Sequence, residues 1–152
     1  MNAQKIIDIA LGEEHYTESP PNSNHTKYGE WANYNGVPWC GIFVSWCYEK
    51  AGYPLPKMGF SFHGFAGCQT AYDQFKKNGW ITTRPALGDI ILFDWNKDGR
   101  YDHTGIFIED DNGSGFFHTI EGNTSGTNQS NGGEVQKRLR KYSDAIFIHP
   151  KI

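Results

Sequence analysis

Cys40 is the residue whose position most strongly indicates covalent chemistry. It follows Pro38 by two residues and opens a segment with apolar residues at helical spacing, which predicts a helix over residues 40–51 with the thiol in its first turn. Unpaired backbone N–H groups and the positive end of the helix dipole favour a thiolate there. The sequence therefore predicts a nucleophile with a lowered pKa. The alternative is that Cys40 is a small buried hydrophobe, which is the commoner fate of a single cysteine.

The other two cysteines, Cys47 and Cys68, fit that alternative and are interpreted as packing residues. Seven residues separate Cys40 from Cys47, which on a helix is about 10 Å along the axis, too far for a disulfide. Three cysteines cannot all pair within one chain, and none shows the C-x-x-C spacing of a zinc site or a redox dithiol. We therefore expect at least one free thiol.

A cysteine nucleophile needs a general base, and His103 is the best placed histidine. It follows Asp102 and opens a predicted strand, so the imidazole would be held at the end of a sheet. His118 lies inside a strand with aromatic neighbours and fits a structural or supporting role, and His25 lies in a polar loop. The complete set of candidates is His15, His25, His63, His103, His118 and His149.

The base in turn needs an acceptor to orient it, and Glu121 and Asn123 offer one at the end of a predicted strand. They are two residues apart, so in an extended chain both side chains point to the same face. The alternative is a polar turn that closes the strand, to which Gly122, Ser125 and Gly126 would also belong.

The segment that follows residue 93 contains alternating oxygen ligands and a glycine, as in the opening of an EF-hand-like calcium loop. The twelfth position of that pattern falls on Gly105, where a bidentate glutamate would be needed. A polar hairpin turn over Lys97, Asp98 and Gly99 explains the same residues. The candidate calcium ligands are Asp94, Asn96, Asp98 and Asp102.

The elements that would position these residues are helices first and strands afterwards. Apolar spacing predicts helices over residues 2–11, 40–51 and 65–78, with a long loop over residues 13–38 that contains one short helix. Short β-rich runs separated by turn residues predict an antiparallel meander over residues 89–94, 103–109, 115–121, 134–141 and 145–149. This order predicts an α+β fold with N-terminal helices packed on a C-terminal antiparallel β-sheet.

Composition restricts the class of protein. A chain of 152 residues fits one domain over residues 1–152, which we expect to be a monomer. Fourteen basic and seventeen acidic residues give a net charge of -3 with no block of like charge, which argues against nucleic acid as a partner. No apolar stretch is long enough to insert into a membrane, and residues 1–11 lack the features of a signal peptide.

Four sequence blocks together resemble the CHAP domain, the cysteine, histidine-dependent amidohydrolase/peptidase of the papain-like NlpC/P60 group. The segments 27–29 and 147–150 also fit, so the resemblance covers nearly the whole chain. Because the blocks occur in the family's order, the resemblance is specific. The blocks are W-C-G-I-F-V-S-W at 39–46, P-A-L-G-D-I-I-L-F-D-W at 85–95, D-H-T-G-I-F at 102–107 and T-I-E-G-N at 119–123.

The resemblance implies a papain-like fold and a peptidoglycan hydrolase that cleaves a peptide or N-acetylmuramoyl-L-alanine amide bond. It implies Cys40 as nucleophile, His103 as general base, Glu121 as its orienting partner and Asn123 as a fourth polar member. The chemistry requires no cofactor, and a structural calcium ion is the open possibility. The backbone N–H of Cys40 would meet the oxyanion of the tetrahedral intermediate.

Aromatic side chains near the motifs supply a candidate substrate groove at Tyr28, Trp31, Trp39 and Trp95, although aromatic residues also dominate the cores of small domains. The predicted setting is a phage endolysin, made in the cytoplasm of the host bacterium and released to the wall by a holin. A bacterial autolysin or an antibacterial effector would use the same chemistry. A non-catalytic wall-binding module, suggested by abundant Trp, Tyr, Gly and Asn, is the alternative of a different class.

Overall fold

Four α-helices precede six β-strands in the computed structural model, which describes residues 1–152. No helix is both long and apolar enough to cross a membrane. The helices are α1 (Ala3–Leu11), α2 (Lys27–Ala32), α3 (Cys40–Lys50) and α4 (Cys68–Lys77). The strands are β1 (Ile81–Thr82), β2 (Ile90–Phe93), β3 (His103–Asp110), β4 (Phe116–Thr124), β5 (Glu134–Lys141) and β6 (Ala145–Ile148).

All six strands form one antiparallel sheet in the order β1-β6-β2-β3-β4-β5. The predicted meander is present from β2 to β5, but β6 crosses the sheet and pairs with β2 instead of extending beyond β5. Two-residue β1 was not predicted, because so short a strand has no detectable alternation. The predicted α+β class, with N-terminal helices packed on a C-terminal antiparallel sheet, is confirmed.

The central helix α3 packs against β3 and β4 and is covered on its other side by α1 and α2. Eight of its eleven residues are buried, which explains why its sequence is apolar almost all round. Gly122 on β4 permits this close approach, because a Cβ there would lie 2.6 Å from the Cβ of Phe43. The sheet thereby holds the start of α3 in a fixed place.

The opposite face of the sheet carries a second, smaller core, which consists of four phenylalanines and one isoleucine: Ile91, Phe93, Phe107, Phe117 and Phe147. His103 is the register partner of Phe93, so its side chain lies on this face. Glu121 follows Phe117 by four residues on β4 and projects to the same side. Strand alternation therefore brings the imidazole and the carboxylate together.

Candidate active site

The thiol of Cys40 lies at the first residue of α3, as the sequence predicts. The preceding residue, Trp39, provides no side-chain cap, so the first N–H groups of the helix are free to meet a negative charge. Trp39 is itself fixed by a hydrogen bond from its indole Nε1 to the Glu18 carboxylate at 3.0 Å. Cys40 is only 4% exposed, so the sulfur lies in a largely desolvated site.

His103 and Glu121 form a buried hydrogen-bonded pair. Nε2 of His103 lies 2.9 Å from the Glu121 carboxylate, and both side chains are fully buried. The other ring nitrogen, Nδ1, is buried and makes no hydrogen bond within the chain. Because Nε2 donates to Glu121, Nδ1 of the neutral ring carries the lone pair that can accept a thiol proton.

Two further residues fix the Glu121 carboxylate. Arg140 on β5 donates through Nη2 at 2.6 Å and Nε at 2.9 Å, one bond to each carboxylate oxygen. The Thr119 hydroxyl donates at 2.5 Å. Gly105 leaves room for this carboxylate, since a Cβ there would lie 2.5 Å from Cγ of Glu121. The sequence did not indicate Arg140, because β5 contains four basic residues and nothing distinguishes the buried one.

The electrostatics favour a thiolate and an imidazolium. Hydrogen bonding from Cys68 holds the pKa of Cys40 well below its ordinary value against the opposing effect of burial, and His103 lowers it further. Burial alone would lower the pKa of His103, but the Cys40 thiolate and Glu121 raise it to about 9. Burial would raise the pKa of Glu121, yet the hydrogen bonds from Arg140 and His103 lower it to about 2.

Cys68 is a second residue, after Arg140, whose link to the site the sequence did not reveal. Cys68, which the sequence indicates as a packing residue, is buried at the start of α4, and hydrogen bonding with Cys40 together with burial raises the pKa of its thiol. Cys47 is fully buried in the main core, where burial raises the pKa of its thiol. The two cysteines thus differ in their surroundings, although both are free.

A model of the CHAP domain matches residues 32–123, a range that includes Cys40, His103 and Glu121. The chain belongs to the CHAP domain family. Members of this family are cysteine, histidine-dependent amidohydrolases and peptidases that act on peptidoglycan.

Two solved structures are similar to this CHAP domain in fold. The crystal structure of Ly7917 is 13% identical, with a TM-score of 0.56 over 99% of this chain and 63% of its own. An NLP/P60 family protein described as similar to lipoprotein, from Staphylococcus aureus subsp. aureus Mu50, is 17% identical, with a TM-score of 0.49 over 98% and 42%. The chain spans less than two thirds of either structure. No curated protein matches the chain.

Asn123 is not hydrogen-bonded to Cys40, His103 or Glu121; its side chain bonds instead to residues 131 and 133. The strand is irregular between Glu121 and Thr124, and Asn123 adopts a left-handed backbone with φ of 56°, so the expected alternation does not continue. Its amide accepts the Gly133 N–H at 2.9 Å and donates to Asn131 at 3.0 Å. The structure places Asn123 as the anchor of the β4–β5 loop, and a part in the chemistry stays a prediction.

The four predicted groove aromatics separate into two groups. Tyr28 and Trp39 stack on each other at 5.6 Å and are at most 1% exposed, so as core residues they do not line a groove. Trp31 and Trp95 are half-buried. Trp95 stacks on the His103 ring at 5.5 Å and lines a cavity of about 250 Å³ together with Arg140.

The four candidate calcium ligands lie between β2 and β3, and three of them, Asp94, Asp98 and Asp102, accept backbone hydrogen bonds there. Asp94 accepts the backbone N–H groups of Asp98 and Gly99, and Asp102 accepts the N–H of Trp95. Asp98 accepts the N–H of Arg100 at 2.9 Å. No group of three or more histidine, cysteine or acidic side chains in the chain is arranged to hold a metal ion. The hydrogen bonds of the three aspartates agree with the hairpin-turn alternative, and a calcium ion at this turn stays a prediction.

Replacement of Asp94 by alanine tests the turn interpretation. Loss of its two hydrogen bonds to backbone N–H groups should lower the free energy of unfolding by about 1 kcal/mol. We expect the same decrease in EDTA and in added calcium, measured by urea unfolding. Stabilisation of the unmodified protein by calcium, absent in Asp94→Ala, would instead support the calcium hypothesis.

Proposed function

We propose that this CHAP domain hydrolyses an amide bond of bacterial peptidoglycan through a thioester on Cys40. The observation that carries the proposal is the buried Nδ1 of His103, which has no hydrogen-bond partner while Nε2 is bound to Glu121. Interaction of the same ring with the Cys40 sulfur gives the base a thiol to deprotonate. Nucleophilic catalysis needs a thiol, a base that deprotonates it and a group that orients the base. Cys40, His103 and Glu121 are suited to these three roles.

The first half of the reaction is acylation of the enzyme. The Cys40 thiolate attacks the amide carbonyl carbon, and the carbonyl π electrons move to oxygen, where the backbone N–H of Cys40 at the start of α3 can donate to the oxyanion. Imidazolium Nδ1–H of His103 then protonates the leaving nitrogen as the C–N bond breaks. The products are an amine and a thioester. Glu121 stabilises the imidazolium throughout.

The second half is hydrolysis of the thioester. Neutral His103 accepts a proton from water, and the resulting hydroxide attacks the acyl carbon. Collapse of the second oxyanion breaks the C–S bond and releases a carboxylic acid, leaving the Cys40 thiolate and the imidazolium as they began. No external redox agent or metal enters this sequence of steps.

The proposed substrate bond is either a peptide bond of the stem or cross-bridge, or the N-acetylmuramoyl-L-alanine amide bond. Digestion of purified walls followed by mass spectrometry distinguishes them, because the amidase frees an amino group on alanine and an endopeptidase frees one on a stem or bridge residue. Walls that bind the protein but gain no amino groups would contradict the proposal and favour the binding-module alternative.

The proposed biological setting is a phage endolysin that reaches the wall after release by a holin. A bacterial autolysin or an antibacterial effector would share the same chemistry. Expression in the bacterial cytoplasm separates these settings, since an endolysin should lyse the cell only when a holin is co-expressed. Export without any holin would favour the autolysin or effector.

The proposal predicts a bell-shaped pH profile of kcat/KM. The acidic limb reports protonation of the Cys40 thiolate, whose pKa lies well below its ordinary value. The alkaline limb reports loss of the imidazolium proton, so activity should fall as pH rises through about 9, the raised pKa of His103. Hydrolysis of a soluble muropeptide at constant ionic strength measures both limbs. Loss of activity already near the ordinary histidine pKa would contradict the ion pair.

A further inference from the structure

The guanidinium of Arg140 is fixed through all three of its nitrogen atoms. Nε and Nη2 donate to the two carboxylate oxygens of Glu121, at 2.9 Å and 2.6 Å, and Nη1 donates to the side-chain oxygen of Gln129. Arg140 is the register partner of Phe117, so it lies on the face of the sheet that carries His103. Because Arg140 is only 4% exposed, water competes little for these bonds, and they hold the carboxylate in one orientation.

Trp95 covers the flat face of the His103 ring. The two rings are nearly parallel, at 21° with centroids 5.5 Å apart. Phe93 stacks on both of them, with its centroid 5.3 Å from that of Trp95 and 5.9 Å from that of His103. Stacking of this kind restricts rotation of the imidazole plane, which would turn Nδ1 away from Cys40. Trp95 is half-buried and His103 is fully buried, so the indole also shields the imidazole from water.

The guanidinium of Arg140 joins these two supports. Its central carbon, Cζ, lies 4.9 Å from the ring centroid of Trp95 and 5.4 Å from that of Phe93, which is within the range of cation–π attraction. Arg140 therefore binds the carboxylate that orients Nε2 of His103, and it also contacts the indole that covers the same imidazole. The imidazolium form of His103 gains from the same aromatic face.

We propose that Arg140 and Trp95 form a clamp that positions the imidazole of the proposed reaction, with Arg140 acting through the Glu121 carboxylate and Trp95 through the face of the His103 ring. Both are positioning residues, because neither takes part in the bonds that form or break. The clamp rests on the proposed function, since its role is to keep Nδ1 directed at Cys40. It differs from the groove role predicted for Trp95, because a groove residue contacts the substrate and the clamp contacts the base.

The two halves of the clamp control different movements of the base. If the Glu121 carboxylate turned, the Nε2–H of His103 would lose its acceptor and the tautomer that leaves Nδ1 free would no longer be favoured. If the ring rotated, Nδ1 would move out of line with the thiol. A displacement of about 1 Å in a reacting group costs about 100-fold in rate. We therefore expect loss of either half to appear in kcat and not in KM.

Arg140→Lys and Arg140→Ala test the first half of the clamp, with circular dichroism to verify folding. Lysine keeps the charge but cannot bind both carboxylate oxygens as a planar fork, so kcat should fall by about 10- to 100-fold while KM stays within about twofold. The matched control is Arg138→Ala on the same strand, which removes a hydrogen bond to the Ser125 carbonyl at 2.7 Å and should leave kcat unchanged. Equal kcat in Arg140→Lys and the unmodified protein would contradict the proposal.

Added guanidinium provides a rescue experiment for Arg140→Ala. Arg140 and Trp95 line a cavity of about 250 Å³, and Leu139, which is 50% exposed, lines it too, so the cavity reaches the surface. Guanidinium below denaturing concentrations should restore part of the lost kcat, whereas ethylammonium of the same charge should not, because only the planar fork matches a carboxylate. Equal effects of the two cations would contradict the proposal.

Trp95→Leu and Trp95→Phe test the second half of the clamp. Leucine removes the aromatic face, so kcat should fall by about tenfold with little change in KM. Phenylalanine keeps a face for the imidazole and should recover most of the lost kcat. A raised KM with unchanged kcat in Trp95→Leu would show that Trp95 binds substrate, and it would overturn the place of Trp95 in the clamp.

A measurement without substrate separates failure of the clamp from failure of the proposed function. Alkylation of Cys40 by iodoacetamide depends on the fraction of thiolate, which His103 favours by lowering the pKa of the thiol. In Arg140→Lys and Trp95→Leu the rate of alkylation at neutral pH, followed by peptide mapping, should fall by about tenfold, and in Arg138→Ala it should not. A protein that hydrolyses no peptidoglycan can still show this decrease. Unchanged alkylation in both clamp variants would overturn the clamp itself.

Discussion

Replacement of Cys40 by serine should lower the rate of wall hydrolysis by a factor on the order of 10⁴ or more, while binding to walls persists. A hydroxyl is far harder to ionise than a thiol, and the imidazolium beside it then has no thiolate to pair with. Loss of a nucleophile removes the covalent route and leaves only the contributions of substrate binding and oxyanion stabilisation. Clearing of wall turbidity and pelleting with insoluble walls measure the two properties separately.

The matched control for this variant is Cys47→Ala on the same helix. Cys47 lies two turns beyond the nucleophile and is buried in the core, so its loss should reduce stability without a comparable loss of hydrolysis per folded molecule. Thermal unfolding of both variants checks that each is folded at the assay temperature. Wall clearing by Cys40→Ser at the rate of the unmodified protein would rule out a cysteine hydrolase.

Replacement of Glu121 by glutamine should lower kcat/KM by about 100-fold or more and the free energy of unfolding by about 3 kcal/mol. Glutamine keeps the shape of the side chain but removes the charge that pairs with Arg140 and raises the pKa of His103. Arg140 would be left 4% exposed without its counter-charge. The alkaline limb of the pH profile should also move to lower pH, because the imidazolium is less stable.

Thr119→Val is the matched control for the loss of the carboxylate charge. It removes one hydrogen bond to the same Glu121 carboxylate but leaves the ionic pair, so we expect a smaller cost of about 1 kcal/mol and an alkaline limb close to that of the unmodified protein. Urea unfolding and muropeptide hydrolysis provide both measurements. An alkaline limb that is the same in Glu121→Gln as in the unmodified protein would show that Glu121 does not act through His103.

The parts of the fold that local sequence determines were predictable. The helix that begins at Cys40 follows from apolar spacing between Pro38 and Gly52, and its observed bounds, Cys40–Lys50, differ from the predicted range by one residue. The strand Glu134–Lys141 is observed at the predicted bounds. In each case one continuous segment of sequence contains both signals, the regular spacing of the buried side chains and the turn residues that flank the element.

The parts that depend on distant packing were not predictable. The crossing of β6 to pair with β2 has no local signature, since any apolar strand can add at either edge of a growing sheet. The hydrogen bonds of Arg140 to Glu121 and of Trp39 to Glu18 join residues on different parts of the chain, so no local spacing indicates them. The side chain of Asn123 does not point to the same face as that of Glu121, because the backbone of Asn123 itself is left-handed and interrupts the strand. A single sequence contains no signal for that interruption.

The two edges of the sheet have a consequence for how copies of the chain behave when concentrated. One edge is β1, which is only two residues long. The other edge is β5, which carries Lys137, Arg138 and Lys141. The first residue of β5, Glu134, already forms a β-bridge with Thr17. Short edges and edges rich in cations resist the strand-to-strand association that leads to aggregates. Any second chain that joins this domain is therefore expected to contact side chains and not to extend its sheet.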